Sequence, residues 1–418
     1  MRFTTTQLDI AVAALHTLLP LEYPADAILR RFFQCNPKLG SKDRAFVAET
    51  TFGILRHRLF LEQHVNATTP RSLLLAYLFR FQNVNLRELK NWARDSELKW
   101  LPTIKTIQLS SLPLSAQTEF PDWLIEKLKP FMPDSEILSL GLSLQKAAPL
   151  DLRINTLLTK REQILETLTQ DGIQAEATPF SPAGIRLQGK PSINRHPLFL
   201  SGAMEVQDEG SQLLGYLLAP RRGEMVADFC AGAGGKTLLL GALMHSKGRL
   251  YAFDVDEKRL GKLKPRLKRS GLSNVHIQHI ASEKDIRIRR LSRKINRVLV
   301  DAPCSGLGTL RRNPDLKWRQ SPRSIEELKI KQEAILTAAA GMIKPGGRLV
   351  YATCSFLPEE NQQVVESFQS KNTEFDLLDC SELMEKQNIA VNTGKFLQLT
   401  PNSHHTDGFF AAALQRKS

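Results

Sequence analysis

The chain of 418 residues contains no apolar run near the roughly 18 residues that a membrane span requires. Its opening, Met1-Arg2-Phe3-Thr4-Thr5-Thr6-Gln7, lacks the apolar centre of a secretory signal. The expected location is therefore cytoplasmic, with no membrane partner. Cysteine is scarce. The five residues Cys35, Cys230, Cys304, Cys354 and Cys380 are odd in number and scattered, which is not a disulfide framework. No Cys-x-x-Cys pair occurs, and the histidines are not at ligand spacing, His404-His405 being a lone pair. No metal site is expected. Internal repeats and low-complexity segments are also missing. Acidic residues are in deficit, 43 against 57 Lys plus Arg, which leaves a net charge of +14. A surplus of that size points to a polyanionic partner, most often nucleic acid, with plain solubility as the alternative. It is also concentrated: residues 257–297 hold 14 Lys/Arg against three Asp/Glu.

What is present is globular. Hydrophobic residues make up 42% and charged residues 24%, enough for a core in two or three domains at roughly 150 residues each. Residues 1–142 read as helical. Leu8, Ala11, Leu15 and Leu18 share a helical face behind candidate caps at Thr4 to Thr6, and residues 42–61 repeat that spacing. Residues 143–205 change to a small α/β unit, with strands expected at 150–155, 172–175 and 184–187 and a helix at 160–171. From 206 the pattern alternates. Strands are expected at 225–229, 249–254, 275–280, 297–301 and 348–353, most of them separated by helices, which argues for a parallel sheet covered on both faces. Residues 395–400 and 408–414 read as a hairpin adding an antiparallel edge.

The strand Val226-Ala227-Asp228-Phe229 runs into Cys230-Ala231-Gly232-Ala233-Gly234-Gly235-Lys236-Thr237 and then a helix. Glycines permit positive φ and close ligand approach, and the first strand end of a doubly wound sheet lines its crevice. A triphosphate loop would need Gly where Cys230 stands, and a dinucleotide loop would need Gly where Thr237 stands. The third candidate is S-adenosylmethionine, which needs close backbone approach and a carboxylate for its ribose; Asp254 ends the second strand.

Two cysteines follow apolar strands, in Asp301-Ala302-Pro303-Cys304-Ser305-Gly306 and in Tyr351-Ala352-Thr353-Cys354-Ser355. Strand carboxyl ends face one crevice, so both thiols are expected in one pocket beside Asp301. These parts suit alkylation of a pyrimidine. A thiolate adding to carbon 6 breaks the aromaticity and leaves electron density at carbon 5. A second thiol assists the later elimination, and an acid near ring nitrogen 3 stabilises the adduct, a role that suits Asp301. An exocyclic-amine methyltransferase would want Asn/Asp-Pro-Pro-aromatic where Asp301-Ala302-Pro303-Cys304 stands.

Together these motifs resemble the RNA 5-methylcytosine methyltransferases of the Sun family. The match runs in the family's order from Val206-Gln207-Asp208-Glu209-Gly210-Ser211-Gln212, through the 230–237 loop, Asp254-Val255-Asp256-Glu257 and the Asp301–Gly308 motif. It continues through Arg311-Arg312-Asn313-Pro314-Asp315-Leu316-Lys317-Trp318 to Thr353-Cys354-Ser355 and Glu359-Glu360-Asn361. The resemblance implies a class I, Rossmann-like S-adenosylmethionine-dependent methyltransferase domain at 206–418. It also implies a helical NusB-like RNA-binding domain at 1–142 and a small α/β RNA-recognition-like unit at 143–205. It makes Cys354 the nucleophile and Cys304 the residue that assists product release. It assigns Cys230, Ala231, Gly232, Ala233, Gly234, Gly235, Lys236, Asp254 and Asp301 to the cofactor. The implied reaction is methylation of carbon 5 of cytosine in RNA. Ribosomal RNA is the expected substrate, and transfer RNA or a non-catalytic ribosome assembly role are the alternatives. Nothing in the sequence calls for more than a monomer. Two positions depart from the family. Its loop often reads Ala-x-Pro-Gly-Gly-Lys, whereas Ala233-Gly234 precedes Gly235 here. Ile280 stands where relatives carry an Asp for the adenine amino group. Arg311, Arg312, Lys317 and Arg319 rank above the basic helix at 256–270 for substrate contact.

Overall fold

The computed structural model describes residues 3–189 and 191–418. They form two compact units. One holds residues 3–147 together with Thr309–Pro322, and the other holds Ala148–Gly308 and Arg323–Ser418.

The first unit is helical. Thr4 caps the helix Thr5–Leu18 by accepting the Gln7 amide, and Leu8, Ala11, Leu15 and Leu18 are buried as their spacing predicts. The helical reading of 42–61 holds with a break: the helices Ser41–Arg56 and Arg58–His64 meet at His57. Thr309–Pro322 belongs to this unit although its chain neighbours on both sides belong to the other. The Lys317 ammonium donates to the Arg56 carbonyl at 3.0 Å, and the Trp318 indole to the Leu55 carbonyl at 3.1 Å. The Arg56 guanidinium in turn donates to the Arg311 carbonyl at 3.0 Å. Lys317 is only 4% exposed and Arg311 8%. The Lys317 ammonium is thus a structural tie, which corrects its ranking as a substrate contact, and Arg311 is buried with its carbonyl engaged. Linear order gives no sign that they are buried.

The second unit carries two sheets. The small one is antiparallel, in the order β2-β3-β1-β4, with β1 Leu150–Ile154, β2 Ala175–Ala177, β3 Gly184–Leu187 and β4 Met204–Val206. The 172–175 stretch read from the sequence is the turn into β2. The large sheet uses β5 Met225–Phe229, β6 Arg249–Asp254, β7 Val275–His279, β8 Ile295–Asp301 and β9 Ile343–Thr353. Three further strands, β10 Phe375–Leu378, β11 Leu397–Leu399 and β12 Phe409–Arg416, complete it. Its order is β10-β12-β9-β8-β5-β6-β7, parallel from β9 to β7, with β11 paired to β12. This is a Rossmann-like sheet whose order reverses between β5 and β8, where a crevice opens at the carboxyl ends.

The central strands bury both faces. Val298 and Val300 of β8 join one core with the helix Pro322–Ala340, and Leu299 joins the other with the helix Glu209–Leu218. The final hairpin does not form the edge that its sequence suggests. β12 lies between β9 and β10, with Ala411, Ala412 and Ala413 fully buried. A continuous apolar run marks an interior strand, and the short β10 supplies the edge. The predicted helix 256–270 is interrupted at Lys262 rather than at Pro265. The proline ring conflicts with the carbonyl four residues back, at Gly261, and its missing N–H costs nothing in the first turn of the new helix.

Candidate active site

The loop after β5 is shaped by backbone conformation. Cys230 has φ 114°, and Gly232 and Gly234 have φ 54° and 83°. A side chain at Gly234 would also place its Cβ 2.1 Å from Leu263 Cδ1. The loop is tied on every side. The Cys230 and Ala231 amides donate to the Phe253 carbonyl at 3.0 and 2.8 Å. The Gly232 amide donates to Asp254 Oδ2 at 2.7 Å, and the Asp256 amide to Asp254 Oδ1 at 2.8 Å. Asp254 is thus aimed by its own loop and keeps a free lone pair on each oxygen for hydroxyl donors. Arg266 donates to the Ala233 carbonyl at 2.7 Å, and Arg153, a buried residue of β1, to the Gly235 carbonyl at 2.5 Å and to Gln207. Burial pushes Arg153 down to about 10, opposed by nearby Glu205. The small sheet therefore braces the loop.

Three carboxylates also lie near this loop. Asp228 is fully buried, its Oδ2 accepting from the Thr237 hydroxyl at 2.6 Å while Oδ1 has no partner. Burial pushes its carboxyl up to about 7. The Asp301 and Asp254 charges act in the same direction, and the Thr237 hydrogen bond and Lys236 oppose them. Lys236 Nζ pairs with Asp301 Oδ2 at 2.8 Å, where the Asp301 side chain is 31% exposed. Burial alone would lower the Lys236 ammonium, but Asp301, Cys354 and Asp228 hold it above its ordinary value. Burial and the three carboxylates raise the Cys230 thiol well above its usual range, so this cysteine serves the loop as a neutral side chain. Three carboxylates thus face one ammonium.

The register β8–β9 places Asp301 opposite Ala352, so the segments after these strands emerge side by side. Cys304 Sγ and Cys354 Sγ lie 3.3 Å apart, and the Cys354 amide donates to Cys304 Sγ at 3.3 Å. Both thiols are free and half-buried. The hydrogen bond to Cys354, then burial, then the charges of Cys354 and Glu360 raise the Cys304 thiol well above its ordinary value. Cys304 therefore keeps its proton, within hydrogen-bond reach of the Cys354 sulfur.

A buried network fixes this pair. Glu360 accepts from the Ser305 amide at 2.8 Å, the Ser305 hydroxyl at 2.5 Å and the Gln332 amide at 3.0 Å. Asn361 accepts from the Thr353 hydroxyl at 2.5 Å and donates to the Ser355 carbonyl at 3.0 Å. Gly308 donates to the Cys354 carbonyl at 2.9 Å, and a Cβ there would meet the Gly408 carbonyl at 2.2 Å, so only glycine fits. Glu360→Ala strands the buried Ser305 amide and one Gln332 N–H and leaves the Ser305 hydroxyl with Ser355 alone. We expect a loss of at least about 3 kcal/mol in denaturant unfolding followed by a signal from the sheet-bearing unit.

The structure thus brings Cys304, Cys354, Asp301, Lys236, Asp254 and the 230–235 loop to the carboxyl ends of β5, β6, β8 and β9. Sequence reasoning missed Asp228, Arg153 and Glu360. A carboxylate inside the apolar stretch Val226-Ala227-Asp228-Phe229 was a visible signal, and so was an arginine in the alternating β1; Glu360 stood in the matched Glu359-Glu360-Asn361 motif, but its role emerges only where the fold places it against Ser305. Ile280, buried at 2% exposure, donates its amide to the Asp254 carbonyl. The carboxylate at that turn is Asp285, which accepts the Ala281 amide at 3.0 Å.

Comparison with known proteins agrees with this geometry. Residues 215–415 match the family described as 16S rRNA methyltransferase RsmB/F. The chain is 38% identical to the "Probable ribosomal RNA small subunit methyltransferase B" of Synechocystis sp., covering 94% of this chain and 95% of that protein. The chain belongs to the RsmB/F 16S rRNA methyltransferase family. Residues 120–194 match the RsmF/B-like ferredoxin-like domain, which accounts for the antiparallel sheet β2-β3-β1-β4. Ribosomal RNA small subunit methyltransferase B of Yersinia pseudotuberculosis is 31% identical over the whole of both chains. The crystal structure of PH0851 superposes with a TM-score of 0.80 at 26% identity, covering 99% of each chain. RsmB/F membership accounts for the order of the motifs from Gln207 to Asn361. Among the described residues no group of His, Cys, Asp and Glu is arranged to hold a metal ion, and no helix is long and apolar enough to cross a membrane.

Proposed function

We propose that the chain methylates carbon 5 of cytosine in ribosomal RNA, with S-adenosylmethionine as cofactor and a transient bond from Cys354 to the pyrimidine. The observation that carries this reading is the 3.3 Å approach of the Cys304 and Cys354 sulfurs beside the Lys236–Asp301 pair. The Cys354 sulfur, as thiolate, adds to carbon 6, and the ring's electron density moves toward carbon 5 and nitrogen 3. Cys304 S–H and the Lys236 ammonium supply the hydrogen bond and positive charge that favour this thiolate. Asp301 faces the ring edge. Its carboxylate accepts from the exocyclic amine, and a proton taken up from solvent as the base binds is shared between Asp301 and nitrogen 3 and stabilises the adduct. In the last step solvent water takes the carbon 5 proton, the electron pair of that bond forms the carbon 5–carbon 6 double bond, and the carbon–sulfur bond breaks. The electron pair returns to Cys354, whose sulfur again accepts the Cys304 hydrogen. A ribosomal RNA substrate fits work in the cytoplasm. The target base has to be unstacked for carbon 6 to meet the sulfur.

The loop residues fit the cofactor electrostatically. Asp228, Asp254 and Asp301 outnumber Lys236, and Asp228 Oδ1 is buried without a partner. These carboxylates suit a cofactor carrying a sulfonium and an ammonium. Asp254 would hold ribose hydroxyls, the 230–235 backbone would approach the nucleoside, and when bound the cofactor supplies the electrophilic methyl group. A pH dependence arises from this arrangement. Below about 7 Asp228 is protonated in the free protein, so binding a cation there releases a proton. Cofactor affinity measured by calorimetry should rise as pH climbs toward 7 and level off above it, and Asp228→Asn should flatten that slope. An equally steep slope in the variant would remove Asp228 from the site.

Bisulfite sequencing of ribosomal RNA from cells with and without the protein tests the reaction. One cytosine should resist conversion only when the protein is present. No difference at any cytosine, together with no calorimetric binding of S-adenosylmethionine, would favour a non-catalytic assembly role.

A further inference from the structure

The catalytic crevice occupies the carboxyl ends of the strands. The opposite, amino-terminal edge of the same sheet carries a cavity of about 390 Å³ whose lining includes Arg221, Arg297, Arg348 and Lys386 and no carboxylate. From the sequence, Arg297 and Arg348 are the charged residues that open two apolar strand segments, Val298-Leu299-Val300 and Leu349-Val350-Tyr351. The register sets them opposite each other on the neighbouring parallel strands β8 and β9. Neighbouring strands lie about 4.8 Å apart, so the two arginines begin at close quarters.

Each guanidinium is held by the end of the helix Glu209–Leu218. Arg297 donates to the Leu218 carbonyl at 2.8 Å and Arg348 to the Leu217 carbonyl at 3.1 Å. Arg297 is also neutralised by Glu224 at 2.7 Å, whereas among the described residues no carboxylate pairs with Arg348. Burial, then the charges of Arg297 and Arg221, push Arg348 down to about 10, with Glu224 opposing. At the rim, Arg221 and Lys386 are exposed. Lys386 lies 4.0 Å from Glu382, an outward pair with both side chains about 70% exposed, worth little in water. Four cations therefore converge on one cavity against a single engaged carboxylate, and two of them are already fixed by backbone carbonyls. An anion relieves that repulsion. Guanidinium forks match the oxygens of a phosphate in pairs, and the volume exceeds what one bare phosphate fills.

We infer that this cavity is a second binding site, for phosphate groups, on the edge of the sheet opposite the cysteines. Arg297 lies four residues before Asp301, about 13 Å along β8, so an occupant here does not compete for the crevice. The chemistry has two sources, the backbone of bound RNA or a free oligophosphate. The RNA source rests on the function proposed above.

Two measurements separate them, each on the full chain and on the rim variant Arg221→Gln/Lys386→Gln, whose changes are at exposed side chains. In the first, inorganic pyrophosphate at ionic strength matched with chloride should raise the thermal midpoint of the wild type, and the variant should lose that shift. In the second, fluorescence anisotropy with an RNA hairpin at several salt concentrations should show affinity falling about fivefold in the variant. The log–log salt slope should drop by between about 1 and 2, as expected for two lost phosphate contacts. A response in the first alone assigns the cavity to a free oligophosphate, and a response in the second assigns it to the RNA backbone. If the variant matches the wild type in both, the cavity is not a phosphate site. Failure of the wild type to methylate RNA would remove the proposed function while leaving the pyrophosphate result readable.

Discussion

Cys354→Ala should lower methyl transfer at least about a thousandfold while leaving S-adenosylmethionine binding within about twofold of wild type. The two parts come from different groups. On the proposed reading, cofactor affinity resides in the 230–235 loop, Asp254 and the carboxylates around Lys236, none of which needs the Cys354 sulfur. Turnover resides in the sulfur, because without addition at carbon 6 the aromatic ring offers no nucleophile at carbon 5, and losing a covalent nucleophile typically costs several orders of magnitude. Cys354→Ala also removes little volume from a half-buried position, so the fold should survive. Single-turnover transfer of a labelled methyl group, with calorimetry on the same preparation, reads both. Transfer at wild-type rate would reassign the nucleophile.

Cys304→Ala should have the second large effect, and an opposite signature. The Cys304 thiol lies within hydrogen-bond reach of the Cys354 sulfur, at 3.3 Å, in an environment that keeps it protonated. When the adduct breaks down, charge returns to that sulfur in a half-buried place where a missing hydrogen bond to a charged group costs about 1.5–3 kcal/mol. Attack loses the same donor, but the Lys236 ammonium still favours the thiolate at that stage. Release should therefore slow by about 10- to 100-fold and become limiting, so that a denaturation-resistant protein–RNA species accumulates on gels. The double variant lacking both thiols should form none. A single Cys304 variant that turns over freely without any such species would remove Cys304 from the release step.

Much of the catalytic unit was legible because its signals are local. Apolar strand segments, the glycine loop, and the two cysteines at strand ends follow from short stretches of sequence, and β5, β6, β8 and β9 lie where those stretches predict them. Long-range features were not legible. Nothing near Lys317 or Trp318 signals that Thr309–Pro322 belongs with the N-terminal helices, because their partners are backbone carbonyls of residues about 260 positions away, at Arg56 and Leu55. The sequence shows the basic segment 257–297 only as a concentration of charge. In the fold, Arg266 and Arg269 both pair with Glu205, at 3.0 and 2.6 Å, and Arg297 pairs with Glu224. A count of charge along the chain cannot tell a cation that braces the glycine loop from one left in water. The roles of the two cysteines were also beyond spacing alone. In the fold Glu360 holds the Ser305 amide next to Cys304, and the proposed roles rest on the resemblance together with the raised Cys304 thiol.

The central claim is that the Cys354 sulfur bonds to the pyrimidine. The most direct measurement is peptide mapping by mass spectrometry of the Cys304→Ala protein after incubation with RNA and S-adenosylmethionine. A peptide carrying Cys354 joined to a methylated cytosine nucleotide is the predicted result. A nucleotide attached at any other residue, or methylated RNA released at the wild-type rate with no peptide modified, would contradict it.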